Sequence, residues 1–286
     1  MKLYTFTVPP EYDGRLYALA RRMLPQEPEY RLAKAFADRD VKQGGVRVSK
    51  AAMAEPGAEI KIYLPEGKTL EAPPILYEDE NVLIVRKPVG VSCEADAKGG
   101  LTLADRLCQA CPGRWPVPPV PCHRLDNQTD GLLLLAKTAQ AEAELRQAFH
   151  DHQVHKRYVC LVKGVPKPEE ATLDAWLRKD AQRARVTVLD HAAPGAQPIR
   201  TGYRVLQKGE VSRVSVRLYT GRTHQIRAQL AHIGHPLLGD DVYGDRAFNK
   251  EHKAKRLMLT ATELRFSLTG RLAYLNEKIF TIEPEF

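Results

Sequence analysis

Two short helical spacings open the chain: Leu16, Leu19, Ala20 and Met23, then, past the breakers Pro25 and Pro28, Leu32, Ala35 and Phe36. Gly44-Gly45 turns the chain into Val46-Arg47-Val48, and beyond Pro56-Gly57 the alternation of Ile60, Ile62 and Leu64 is that of a strand. Residues 67–74, with Gly67, Pro73 and Pro74, read as a linker. The pattern predicts a small unit of two helices and a short sheet over residues 1–66 and one larger domain over 75–286.

In the larger segment the apolar run Val82 to Val85 lies between turn signals and predicts a buried strand. Leu132 to Ala136 is a second such run, a buried strand or helix core. Gln140 to His150 reads as a helix, and Lys156 to Gly164 as a strand with Tyr158 near its start. From Val211 to Thr220, Val214, Val216 and Leu218 alternate with Arg213, Ser215 and Arg217, as on a half-buried strand. Thr223 is positioned to cap a helix running to about Ile233, with Ile226, Leu230 and Ile233 as its buried stripe and Gly234 as its stop.

Composition narrows the class. In 286 residues there is no apolar run near the roughly 20 needed to span a bilayer, and Met1 to Tyr17 lacks the features of a signal peptide, so a cytoplasmic protein is expected. Five cysteines, an odd number, argue for reduced thiols. Cys108 and Cys111 form a C-x-x-C, but prolines fill the path to Cys122-His123 and no second C-x-x-C completes a zinc site. The net charge of +8 is uneven: between Gly195 and Leu230 seven basic residues (Arg200, Arg204, Lys208, Arg213, Arg217, Arg222, Arg227) face one acid, Glu210. Such clustering fits either a polyanion footprint or a solvated strand face.

The chemistry concentrates in Pro121-Cys122-His123-Arg124-Leu125-Asp126-Asn127-Gln128-Thr129-Asp130-Gly131. This segment puts the Asp126 carboxylate in a polar loop at the rim of a rigid apolar element; an Asx turn leading into a strand is the plainer reading of the same residues. On the helix after Gly221, Arg227 sits about 100° from Ile226, at the edge of the buried face, where a guanidinium needs an anion. Asp126 is the natural candidate, and a contact with backbone carbonyls is the competing one.

Taken together, His123-Arg124-Leu125-Asp126 with Thr129 and Gly131, Lys156-Arg157-Tyr158, Gly221-Arg222-Thr223-His224-Gln225-Ile226-Arg227 and Gly234-His235-Pro236-Leu237-Leu238-Gly239-Asp240 resemble the ordered motifs of the RluA-type pseudouridine synthases. The resemblance covers about residues 75 to 286. It implies an α+β fold with a mixed, mainly antiparallel sheet, and isomerisation of uridine to pseudouridine in structured RNA, ribosomal or transfer. No cofactor or metal is implied, since the reaction changes neither atoms nor oxidation state. Asp126 would be the carboxylate nucleophile or electrostatic stabiliser, Tyr158 the aromatic that stacks on the released uracil or also moves a proton, and Arg227 the cation orienting Asp126. Leu257 or Leu259 would pack beneath the base. The target base must leave its stack, and Arg124 is placed to fill the vacated space or hold a phosphate. His123, Arg222 and His224 are further candidate RNA contacts. Residues 1–66 resemble the S-four-like RNA-binding module, implying phosphate contacts from Arg31, Lys34, Arg39, Lys42 and Arg47.

Three positions depart from that pattern: Asp130, Gln229 and Thr260 stand where relatives have Ser or Gly, His, and His. Asp130, four residues from Asp126, is expected to bear on substrate preference or loop geometry. His224, His232 and His235 invite a metal reading, yet the first two are eight residues apart with no i, i+4 pair, which favours packing and RNA contacts. The competing functions are a non-catalytic RNA-binding or ribosome-assembly factor on the same fold and a metal-dependent hydrolase. A monomer with no obligate protein partner and no membrane association is the default. Nothing in the sequence names the RNA or the nucleotide, because such specificity is spread over surfaces that read RNA shape.

Overall fold

The computed structural model describes all residues except 25, 26, 28, 65–71, 95–100 and 181–184, with 29 and 30 described at the backbone only. The expected linker therefore falls largely outside the described residues. The described residues form two units, one drawn from Met1–Ala72 and Asp105–Pro116, the other from Pro73–Glu94, Thr102–Ala104 and Val117–Phe286.

In the N-terminal unit β1 (Lys2–Thr7), α1 (Leu16–Met23), α2 (Glu29–Ala37), β2 (Val41–Gln43), β3 (Val46–Arg47) and β4 (Glu59–Leu64) follow in order. The four strands form an antiparallel sheet of order β1-β4-β2-β3. Leu16, Leu19 and Ala20 of α1 and Leu32, Ala35 and Phe36 of α2 pack against Ile60, Ile62 and Leu64, as their spacing predicts; Met23 ends up exposed.

The second unit contains β5 (Ile75–Glu78), β6 (Val82–Lys87), the first residues of α3 (Leu103–Ala110), β7 (Val120–Pro121), β8 (Asp130–Ala136), α4 (Ala139–His150), β9 (Val154–Lys163), β10 (Glu170–Asp180), β11 (Arg185–Leu189), β12 (Ala196–Gln207), β13 (Val211–Leu218), α5 (Gln225–His232), α6 (Arg246–Glu251), β14 (Leu259–Phe266), a 3-10 segment (Gly270–Glu277) and β15 (Phe280–Thr281). Its sheet runs β11-β10-β12-β13-β9-β14-β8-β6-β5, with β7 on β8 and β15 on β14. Every pairing is antiparallel except β14 with β8, where Thr260 faces Asp130 and Ala261 faces Gly131. The leucine run Leu132 to Leu135 is a strand buried on both faces. One side packs on α4 through Ala141, Leu145 and Ala148, together with Phe266, Leu272 and Leu275.

The parallel seam dictates a residue. Gly131 has φ +125°, and a Cβ built on it would lie 2.4 Å from the Ala261 carbonyl oxygen, so only glycine lets β8 approach β14 this closely. Ala261 in turn faces Tyr158 across β9. The seam thus links the segment carrying Asp126 to the strand carrying Tyr158.

Asp130 turns away from the neighbouring loop. Its buried carboxylate accepts from the Thr260 hydroxyl at 2.7 Å and lies 3.1 Å from Arg86 and 3.5 Å from Arg256. Asp130 and Thr260, two of the three departures, are therefore partners in one ion cluster spanning β6, β8 and β14. Asp130 thus has a structural part in the seam.

The basic stretch Gly195 to Leu230 is largely matched by acids on or next to other strands. Arg200 pairs with Asp174 at 3.5 Å, Arg204 with Glu170 at 2.8 Å, Lys208 with Glu169, and Arg213 with Glu283 at 3.8 Å. In sequence these acids lie outside the stretch; the β10–β12 pairing brings Asp174 and Glu170 directly opposite Arg200 and Arg204.

Candidate active site

The Asp126 loop is fixed from beneath by a residue the sequence reading passed over. Lys87, at the end of β6, is wholly buried and donates to the carbonyls of Val91 at 2.8 Å, Pro88 at 3.0 Å and Asn127 at 3.3 Å. The Cys93 thiol accepts the Leu125 N–H at 3.4 Å, and Thr129 N–H closes a turn on the Asp126 carbonyl at 3.0 Å. An unpaired lysine in a core is costly, so a fully hydrogen-bonded one marks a backbone held in one shape. The backbone turns here through a main-chain hydrogen bond, and the Asp126 carboxylate is left half-exposed.

Helix α5 is buried almost all round rather than along one stripe: Gln225 through Leu230 are all inaccessible, whereas Ile233 is only half-buried. Thr223 does not cap it. The N-cap is His224 in the left-handed region, φ 54°, with no side-chain cap, and the Gln225 side chain takes over by accepting from Arg222 N–H and Thr220 Oγ1, both at 3.0 Å. One turn on, Gln229 accepts from Thr201 Oγ1 at 2.6 Å and donates to the Leu173 carbonyl at 3.1 Å. The glutamine at this departing position therefore docks the helix on β12 and β10.

That docking delivers Arg227. Its Nε and Nη2 make a two-pronged contact with Asp240 at 2.7 and 2.9 Å, while Nη1 lies 3.6 Å from Asp126 Oδ2. Asp240, not Asp126, is thus the principal partner, a correction to the expected pairing. The reason is burial: Arg227 is 3% and Asp240 1% exposed, and a guanidinium so desolvated is held by the carboxylate that shares its burial. Asp240 also accepts the N–H groups of Val242 at 2.8 Å and Tyr243 at 2.9 Å. Burial by itself would push the Asp240 carboxyl up, but Arg227 and these two N–H donors outweigh it and hold it below the ordinary carboxylate range. Gly239 is required beside it, because a Cβ there would lie 1.8 Å from the Arg256 carbonyl oxygen.

His224 adds a second group near the carboxylate, its Nε2 3.8 Å from Asp126 Oδ2 and its Nδ1 3.0 Å from the Tyr243 hydroxyl. Burial, only partly offset by Asp126, holds this imidazole below its ordinary pKa, so it is neutral near pH 7. Tyr158 is buried on β9; burial first and the Asp126 charge second drive its phenol far above the usual range, which keeps it protonated.

Asp126, Tyr158 and Arg227 line one open cavity of about 990 Å³, together with His123, Arg124, Arg222, His224 and Leu259. Three segments distant in sequence supply the three expected catalytic residues to one cavity. Leu259 is present as the expected apolar floor; Leu257 is buried away from the cavity. Arg124 is exposed at the rim, 3.2 Å from Glu94. His123 lines the cavity but is committed inward: its Nε2 accepts the Leu134 N–H at 3.1 Å and its ring packs 4.8 Å from Phe149. Burial, reinforced by Lys156, drives its pKa down to about 3, so it contributes no charge to an RNA contact.

The remaining predicted residues go elsewhere. In the N-terminal unit Arg31 is 2.7 Å from Glu27 and Lys34 2.8 Å from Asp38, so acids one helical turn away take up both cations. Lys42 lies over the Tyr63 ring, while Arg39 and Arg47 are exposed. His232 pairs with Asp190 at 2.8 Å and His235 with the Lys163 carbonyl at 2.8 Å, so the three histidines have separate partners. Among the described residues the group with metal-ligand spacing is Glu210, Glu251 and His252, outside this cavity. No helix among the described residues is long and apolar enough to cross a membrane.

The RNA pseudouridylate synthase family profile matches residues 81–232. An uncharacterized RNA pseudouridine synthase of Mycoplasma pneumoniae is 38% identical over 204 residues, 68% of this chain and 62% of that protein, so the chain spans somewhat under two thirds of that relative. Ribosomal large subunit pseudouridine synthase D of Pseudomonas aeruginosa is 35% identical over 257 residues, 84% of this chain and 77% of its own length. Among solved structures, human RNA Pseudouridylate Synthase Domain Containing 1 superposes with a TM-score of 0.60 at 26% identity, covering 78% of this chain and 86% of that one.

Proposed function

The chain belongs to the RNA pseudouridylate synthase family, and from that premise we propose that it isomerises uridine to pseudouridine in structured RNA, ribosomal RNA first and transfer RNA as the alternative. The observation that carries the reading is that Asp126, Tyr158 and Arg227 line the same cavity, with Arg227 3.6 Å from Asp126. A chain that only bound RNA would have no use for a carboxylate, an aromatic and a buried arginine in that arrangement.

The reaction breaks the bond from ribose C1′ to uracil N1, turns the freed base and joins C1′ to C5; the C5 proton leaves and N1 gains one, so atoms and electrons balance within the nucleotide. Asp126 supplies negative charge at C1′ as nucleophile or stabiliser. Arg227, anchored on Asp240, sets the direction of that carboxylate from 3.6 Å without taking it up in a direct hydrogen bond. Tyr158 offers its ring to the released uracil, with Leu259 as apolar floor. Arg124 fills the gap left in the RNA or contacts its backbone, and Arg222 and His224 meet the RNA at the cavity edge.

We further propose that residues 1–66 are an S-four-like RNA-binding domain, with Arg39, Lys42 and Arg47 as its contacts, and that the enzyme acts as a monomer in the cytoplasm. The decisive experiment replaces Asp126 by Asn or Ala. Pseudouridine formation, read by chemical mapping of RNA from cells with and without the variant, should fall by about a thousandfold or more while RNA affinity changes little. Persistent modification would reject Asp126 as the catalytic carboxylate.

A further inference from the structure

The cavity contains a half-buried lysine that the reaction scheme leaves unused. Lys156 lies on β9 two residues before Tyr158, on the same strand face, which puts the two side chains about 7 Å apart along the strand. Both line the cavity. Around the ammonium are the Phe149 ring, with Nζ 5.2 Å from its centroid, and Gly221, where a built Cβ would lie 3.4 Å from Nζ. His123 is its near titratable neighbour and is neutral.

Among the described residues no carboxylate lies within ion-pair distance of Lys156, in contrast to Lys34, Lys61, Lys137, Lys163 and Lys208. The fully buried Lys87 satisfies its ammonium with three carbonyls. The cost of holding Lys156 this way is visible in its acidity, which burial drives to about 8. A half-buried ammonium in a cavity wall, with an aromatic face beside it and no carboxylate partner, is suited to receive an anion.

We propose that Lys156 is an anion subsite of the cavity and that it receives an RNA backbone phosphate adjoining the nucleotide stacked on Tyr158. The inference rests on the reading of the cavity as a uridine site and adds to it the point at which the backbone of the extruded nucleotide is gripped. The spacing supports a phosphate: a base over Tyr158 carries its own phosphates one sugar away, within reach of a side chain about 7 Å along the strand. Glycine at position 221 leaves the approach to Nζ open on that side.

The test compares wild type with Lys156→Met and Lys156→Arg on an RNA containing the modified uridine. Met should raise KM about 30-fold with kcat within about threefold of wild type, and Arg should recover most of the loss. The Met variant should melt no lower than wild type, because it removes a half-buried cation that has no carboxylate partner; a Tm drop together with an unchanged KM would make Lys156 a packing residue and overturn the proposal. Substrates with a neutral methylphosphonate at each linkage flanking the target locate the contact: one linkage should cost wild type what Met costs and cost the Met variant nothing further. Equal, additive losses at all linkages would overturn it. Inorganic phosphate, titrated against lysine-labelled protein and followed by the 15N shift of the position 156 ammonium, reads the subsite without turnover. A saturable shift is expected, and no shift refutes the subsite. If wild type makes no pseudouridine while that shift is present, the functional reading has failed and the anion subsite has not.

Discussion

Arg227 gives its two-pronged face to Asp240, at 2.7 and 2.9 Å, and only a single nitrogen, at 3.6 Å, to Asp126. The buried pair is a mount, and the half-exposed carboxylate is what it aims. A catalytic acid clamped directly would be less available to the sugar; one left alone would have no fixed direction.

Asp240→Asn should therefore impair both fold and reaction. It leaves Arg227 buried opposite a neutral amide, and losing one partner of such a pair costs on the order of 3–5 kcal/mol. Denaturant unfolding should show that loss, and single-turnover pseudouridine formation should slow by at least about tenfold in protein that is still folded. Full activity would mean that Arg227 does not need its mount.

Lys87→Met tests the loop from below. Three carbonyls lose their donor at once, and two of them, Val91 and Asn127, belong to the segments that frame Asp126. A stability loss of about 2–4 kcal/mol is expected, with amide exchange quickened over residues 88–91 and 125–129. Exchange confined to other regions would show that the loop holds itself.

Tyr158→Phe separates stacking from proton transfer. The phenol is held neutral by burial and the Asp126 charge, so the pH–rate profile of the wild type should carry no limb from Tyr158 below about pH 10. If the ring only stacks, Phe retains activity within about tenfold and Ala loses far more. Loss in Phe as deep as in Ala would assign the hydroxyl a chemical step.

His123 sets part of the acid limit of the fold. Its folded-state pKa near 3 lies below the unfolded value near 6.5, so between those pH values the unfolded chain binds the extra proton and stability falls as pH falls. The contribution is whole above about pH 6.5 and exhausted near pH 3, amounting to at most about 5 kcal/mol. Urea unfolding of wild type and His123→Gln from pH 3 to 8 should show the slope in the first and a flatter line in the second.

Much of this was legible in the chain. Periodicity found the helices of the N-terminal unit, the leucine strand and the alternating strand before Gly221, because those patterns report local burial. The meeting of Asp126, Tyr158 and Arg227 was foreshadowed by motif order. What the sequence concealed was partnership across distance. Arg227 was matched to Asp126 because its place at the edge of a buried helix face calls for an anion without saying which, and the residue that shares its burial is Asp240, thirteen positions on, past a glycine turn. Lys87 looked like the end of a strand, and nothing local says that its amine reaches the carbonyl of residue 127. Thr223 had the chemistry of a cap but not the position, since the backbone enters the helix through a left-handed His224. Asp130 looked like a variation on the reactive loop because spacing along a chain does not reveal which side of a strand a side chain leaves.

The ladder of Arg200, Arg204 and Lys208 against Asp174, Glu170 and Glu169 has a bearing on how this protein should respond to ionic strength. Each arginine or lysine already neutralised by a neighbouring strand displaces few counterions when RNA arrives, so the slope of log affinity against log salt should reflect the handful of cations around the cavity mouth rather than the excess written in the composition. Tight binding by such a surface would come mainly from shape and from the extruded base, and would persist at salt concentrations that strip RNA from a uniformly basic face.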